Sequence, residues 1–114
     1  MQRAYTVAID FDGTLCANKY PEIGEPNTAL IEYLAGQRRQ GWKIILWTCR
    51  TGRELLDAVD WCKAHGLVFD AVNKNLPETI QAYGGDTRKL SVDAYIDDRN
   101  MAVYGIIKPG ILYP

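Results

Sequence analysis

Apolar and polar positions along the chain fall into two kinds of segment. Four short apolar runs, residues 5–9 (YTVAI), 43–47 (KIILW), 67–72 (LVFDAV) and 92–96 (VDAYI), stop at Asp10, Thr48, Asn73 and Asp97. Their length and β-branched or aromatic content predict buried strands. Between them the period changes. Residues 27–40 carry Ala29, Leu30, Tyr33 and Leu34 at helical spacing, open on an Asn27-Thr28 cap signal and close before Gly41. Residues 51–65 repeat the pattern with Leu55, Leu56, Val59 and Cys62 and end at Gly66. A shorter helix is predicted from near Pro77 to Gly84-Gly85, proline suiting a first turn.

Strands alternating with helices require crossovers, and crossovers join parallel strands. The expected fold is therefore α/β, a three-layer α/β/α sandwich around a Rossmann-like parallel sheet. At 114 residues the chain has room for one core, so residues 1–114 are expected to form a single domain. In an open parallel sheet ligands bind beyond the carboxyl ends of the strands. The residues expected there are Asp10, Phe11 and Asp12; Thr48, Cys49 and Arg50; Asn73, Lys74 and Asn75; and Asp97, Asp98 and Arg99.

Composition narrows the setting. Hydrophobic residues at 47% and charged residues at 24% match a packed globular domain and exclude wholesale disorder. Thirteen basic against fourteen acidic residues give a net charge of −1, which supplies no basic field for coating nucleic acid. That balance does not exclude the phosphate at a nucleic-acid end. Asp10 and Asp12 interrupt the N-terminal apolar stretch, unlike a signal peptide, and no segment reaches the ~18 apolar residues of a membrane span. Three cysteines without C-x-x-C spacing, Cys16, Cys49 and Cys62, fit neither a disulfide framework nor a zinc knuckle. A cytoplasmic location is expected.

The chemistry concentrates in Asp10-Phe11-Asp12-Gly13-Thr14. Two carboxylates one residue apart at a strand end point in similar directions, and Gly13 permits the tight turn after them. One can attack while the other handles protons. Asp97-Asp98 closes another strand, and carboxylates at two strand ends, without a His/Cys cluster, favour Mg²⁺ over zinc. Thr48 and Arg50 are read as holding phosphoryl oxygens, the arginine in a bidentate fork, with Cys49 between them in the substrate-binding stretch. Cys49 has no histidine to activate it, because His65 falls at the end of a helix. A cation is needed near the acids: Lys74 follows the third strand on their side, whereas Lys89 precedes the fourth, and topology prefers Lys74.

These four groups, in this order, resemble the haloacid dehalogenase (HAD) superfamily of phosphohydrolases. Asp10-Phe11-Asp12-Gly13-Thr14-Leu15 looks like its first motif, Thr48 is similar to the second, Lys74 to the third and Asp97-Asp98 to the fourth. KYPEIG, ILWTCRTG, AVNKNLPE and YIDDRN resemble a small bacterial and phage branch of it; Thr48-x-Arg50 and Asp97-Asp98-Arg99 are also similar to the phosphatase domain of phage polynucleotide kinase-phosphatase. The resemblance implies a Mg²⁺-dependent phosphomonoesterase with Asp10 as nucleophile and metal ligand. Asp12 is then the general acid/base, with its backbone carbonyl on the metal. Thr48 holds the phosphoryl oxygen, Lys74 bridges it to Asp10, and Asp97 and Asp98 complete the metal site.

Neither short segment where larger members insert a cap, residues 15–27 or 50–73, has room for one. An open site suits large phosphoesters or a lid from another subunit. Residues 19–22 (KYPE) are read as a short flap or as a plain surface loop. The competing reading is a non-catalytic or regulatory phospho-acceptor domain of the same fold. Ile106, Ile107, Ile111 and Leu112 suit a core or a dimer contact equally, and no chemistry is assigned to residues 101–114.

Overall fold

Strand β1 (Thr6–Ile9) is buried along its whole length and lies at the centre of the architecture. The computed structural model describes residues 3–99. After β1 come β2 (Cys16–Lys19), β3 (Glu22–Pro26), α1 (Thr28–Arg39), β4 (Lys43–Leu46), α2 (Gly52–Ala64), β5 (Ala71–Val72), α3 (Pro77–Tyr83) and β6 (Ala94–Ile96). Four strands form a parallel sheet in the order β5-β4-β1-β6, with β1 paired to both β4 and β6. Helices flank this sheet in a three-layer α/β sandwich without a cap domain among the described residues.

Alternation along the strands sorts the core. Val7, Ile9, Ile44 and Leu46 face one side and pack with Ile31 and Leu34 of α1 and Ala58 and Cys62 of α2. Ala8, Ile45 and Ala71 face the other, where they meet Leu76 at the start of α3 and Leu90. The first layer is thick and the second thin. Asn27 caps α1 by accepting from the Leu30 N–H, and its amide donates to the Thr14 carbonyl, tying the helix to the loop after β1. His65 is the cap residue of α2, as expected, with Nδ1 2.8 Å from the Trp61 carbonyl.

Three sequence expectations change. The third strand shortens from residues 67–72 to Ala71–Val72, because Leu67 serves the helix-side core and Asp70 docks on β4 by its side chain, accepting from the Ile44 N–H at 2.8 Å. Leu56, read as core, is 58% exposed, and Ala58 takes the buried position. The segment read as a flap or loop is an antiparallel hairpin, β2–β3, with Lys19 opposite Glu22 and Asn18 opposite Ile23. Gly24 allows this pairing, since a β-carbon there would collide with the Ala17 carbonyl. Residues 101–114 lie outside the described residues. No helix among the described residues is long and apolar enough to cross a membrane.

Candidate functional site

A cavity of about 560 Å³ opens at the carboxyl ends of β1, β4 and β6. Asp10, Asp12, Thr48, Cys49, Asp97 and Asp98 line it, so three of the four strand ends deliver the residues expected of them. The fourth delivers Asn73. Strand alternation puts Asp10 on the Ala8 side of the sheet, over the thin layer, which leaves space above it.

Asp10 is half-buried, and its carboxylate accepts a 2.8 Å hydrogen bond from the Phe11 N–H. Burial raises its pKa above the usual carboxylate range; the Phe11 bond opposes this, and the nearby Asp98, Asp12 and Asp97 carboxylates reinforce it. A site that pushes a carboxyl this way favours a cation. Gly13 has φ +86°, and a β-carbon there would collide with an Asp98 carboxylate oxygen. The first acidic loop and the last acidic strand end thus approach each other only because residue 13 lacks a side chain.

Asp12 is bound differently. Its two oxygens accept from Nη2 and Nε of Arg50, both at 2.8 Å, in a planar fork. Arg50 is 1% exposed; its remaining N–H groups donate to the Pro21 and Glu54 carbonyls from Nη1 and to the Glu22 carbonyl from Nη2. All five guanidinium donors are used. The Phe11 and Tyr20 rings lie on it at 4.9 and 5.0 Å, and the bonds to Asp12 raise its pKa further above the usual arginine range. Arg50 therefore does not present a fork to a phosphoryl group. It latches the hairpin to the second carboxylate.

Lys74 is a second correction. Asn73 adopts a left-handed backbone, φ 54°, which turns its side chain inward to accept from the Thr48 N–H at 2.8 Å. Asn75 is buried and bonded to Asp86, Thr87 and Ser91. Lys74, between them, projects outward, exposed and away from the cavity lining. Lys89 is exposed and outside the lining as well. Arg99, whose N–H donates to Asp97, is the basic residue on the cavity wall among the described residues. Thr48 accepts from the Arg50 N–H at 3.2 Å, which leaves its hydroxyl hydrogen to donate elsewhere.

Five lining residues were not singled out from sequence: Ala8, Asn18, Trp47, Tyr95 and Ile96. Trp47 and Tyr95 end or interrupt apolar runs, so pattern alone assigns them to the core; Asn18 lines the cavity only because residues 16–26 form a hairpin.

The donor set fits a hard divalent cation. Among the described residues no three His, Cys, Asp or Glu side chains stand together as a metal cage. Mg²⁺ needs less: one or two carboxylates with waters satisfy it, and Asp10, Asp97 and Asp98 put carboxylates on the lining of this cavity. The buried thiols are not candidates, since burial pushes Cys62 up to about 12 and raises Cys16 as well.

Fold and cleft together define an α/β domain with an acidic pocket at the carboxyl edge of a parallel sheet. No protein-family model and no curated protein matches the sequence. A solved structure of a conserved protein from Bacteroides thetaiotaomicron is similar with a TM-score of 0.76 and 42% identity, over 92% of this chain and 87% of that one. The chain belongs to the family of that conserved protein.

Proposed function

We propose that the protein is a Mg²⁺-dependent phosphomonoesterase that works through an aspartyl-phosphate on Asp10. The observation that carries this reading is the gathering of Asp10, Asp97 and Asp98 on one cavity, with Asp98 packed over Gly13 and with burial and the neighbouring carboxylates raising the pKa of Asp10. The order of Asp10-x-Asp12, Thr48 and Asp97-Asp98, with its resemblance to HAD phosphohydrolases, supports the same chemistry. Bound Mg²⁺ would neutralise the acids and hold the phosphoryl group in line for attack.

In this reading an Asp10 oxygen attacks phosphorus, the bond to the leaving oxygen breaks, and that oxygen takes its proton from solvent, because Asp12, with both oxygens accepting from Arg50, is held ionised. Water then attacks the aspartyl-phosphate, Asp12 accepts the water's proton and passes it to solvent, and phosphate leaves with Asp10 restored. Arg50 keeps Asp12 at the cavity wall through both steps. The Thr48 hydroxyl donates to a phosphoryl oxygen, and Arg99 offers positive charge at the rim. Three free thiols suit work in a reducing cytoplasm.

The test is phosphate release from nucleotides, sugar phosphates and 3′-phosphorylated oligonucleotides, with and without Mg²⁺. Release should require Mg²⁺ and should fall by at least about three orders of magnitude in a folded Asp10→Asn variant, whose amide does not attack phosphorus. Substantial activity in that variant would remove Asp10 as the nucleophile.

A further inference from the structure

Two of the residues that line the cavity bring a chemistry that hydrolysis alone does not require. Trp47 and Tyr95 are 39% and 38% exposed, large aromatic surfaces left facing the cavity they line. Both stand on the Ala8 side of the sheet: Trp47, just past the end of β4, follows Ile45 by two residues, and Tyr95 of β6 pairs with Ala8 of β1. Strand β1 runs between them, with Ala8 level with Tyr95 and Asp10, on the same side, level with Trp47. Strands β4 and β6 are two strand spacings apart, about 9–10 Å. Side chains rise roughly perpendicular to a sheet, so the two aromatics flank β1 diagonally, Trp47 about 6–7 Å further along the strand direction than Tyr95, and a flat ring can lie across the sheet against both. The Tyr95 hydroxyl donates to the Leu90 carbonyl at 3.3 Å, which anchors that side chain.

Polar groups on the lining favour a ring with acceptor atoms. The Asn73 oxygen is taken by the Thr48 N–H and the Asn18 oxygen by the Tyr20 N–H, leaving both amide NH₂ groups to donate toward the cavity. The volume, about 560 Å³, exceeds what a phosphate needs and falls within the range of about 300–1,000 Å³ that holds a ligand of drug size.

We propose that the cavity takes a nucleoside monophosphate, with its base against Trp47 and Tyr95 and its phosphate at the Asp10 end. The phosphate end rests on the function proposed above, whereas the aromatic slot stands on its own geometry. Trp47 and Tyr95 are then specificity residues, and Asn18 and Asn73 donate to ring or sugar acceptors.

Calorimetric titration of Asp10→Asn with adenosine monophosphate and with ribose 5-phosphate, both with Mg²⁺, tests the slot without turnover. The nucleotide should bind at least about tenfold tighter, the scale of one base stacked on an aromatic side chain. Adding Trp47→Ala or Tyr95→Ala should remove most of that preference, and adding Trp47→Phe should keep it. Equal affinities in the starting variant, or a preference that survives both alanine changes, would overturn the proposal. Phosphate release from the unmodified protein separates the two claims. A nucleotide preference without release from either compound supports the slot and sinks the hydrolase reading; equal turnover of the two, with equal affinity, does the reverse.

Discussion

Asp10 and Asp12 are two residues apart and meet opposite electrostatic fates. Asp10 faces other carboxylates in a half-buried position, so its folded pKa lies above its unfolded value. A carboxyl raised on folding binds more protons in the native state, and stability then falls as pH rises from the ordinary carboxylate value, about 4, through the raised one. Asp10→Asn abolishes that loss. Without metal the variant should melt a few degrees higher than the parent at pH 7, with the gap closing toward pH 4. Melting curves across that window check it, and a gap that widens on acidification would contradict it. Gly13→Ala moves the other way. The left-handed backbone alone costs about 1–2 kcal/mol with a β-carbon present, and the displaced Asp98 carboxylate should also lose its effect on metal binding. Urea unfolding with and without Mg²⁺ measures both parts.

Among the elements, the hairpin β2–β3 depends on a residue from outside itself. Arg50 reaches it from the segment before α2, joining the Pro21 and Glu22 carbonyls to the Asp12 carboxylate. Asp12→Ala should therefore destabilise the protein by about 3 kcal/mol, since it strips a buried guanidinium of its counter-charge. A double-mutant cycle with Arg50→Met should show coupling of about 1–3 kcal/mol, and coupling near zero would dismiss the latch. This is also where sequence stops being legible. The four parallel strands and three helices follow from local periodicity and caps, and Asp10, Thr48, Asp97 and Asp98 follow from where the strands end. The hairpin does not, because CANK and EIGEP hold a single β-branched residue between them. Arg50 stands at the strand end that sequence assigned, yet its direction is set by carbonyls of that unforeseen hairpin. Lys74 fails for a related reason: one left-handed residue, Asn73, decides which of three consecutive polar side chains faces inward.

Across the whole molecule, positive charge is distributed by sheet end rather than by total. Thirteen basic and fourteen acidic residues nearly cancel, but Arg3 pairs with Asp93 and Arg38 with Asp70 beside the amino ends of β6 and β5. Those two acids also accept from the Thr6 and Ile44 N–H groups, closing the sheet at that edge. At the carboxyl edge Asp12 is paired, whereas Asp10, Asp97 and Asp98 have no ion-pair partner among the described residues. The fold thus keeps an uncompensated negative site that a divalent cation would relieve, and binding to the native state alone must stabilise it. Mg²⁺ at about a hundred times its dissociation constant should add about 2.7 kcal/mol, read as a melting temperature higher by at least about 5 °C. NaCl at matched ionic strength screens charges without filling the site and should give much less. Asp98→Asn should blunt the Mg²⁺ response while leaving the NaCl response in place. Equal shifts from the two salts would mean that the carboxyl edge is merely screened, and that its acids do not assemble around a cation.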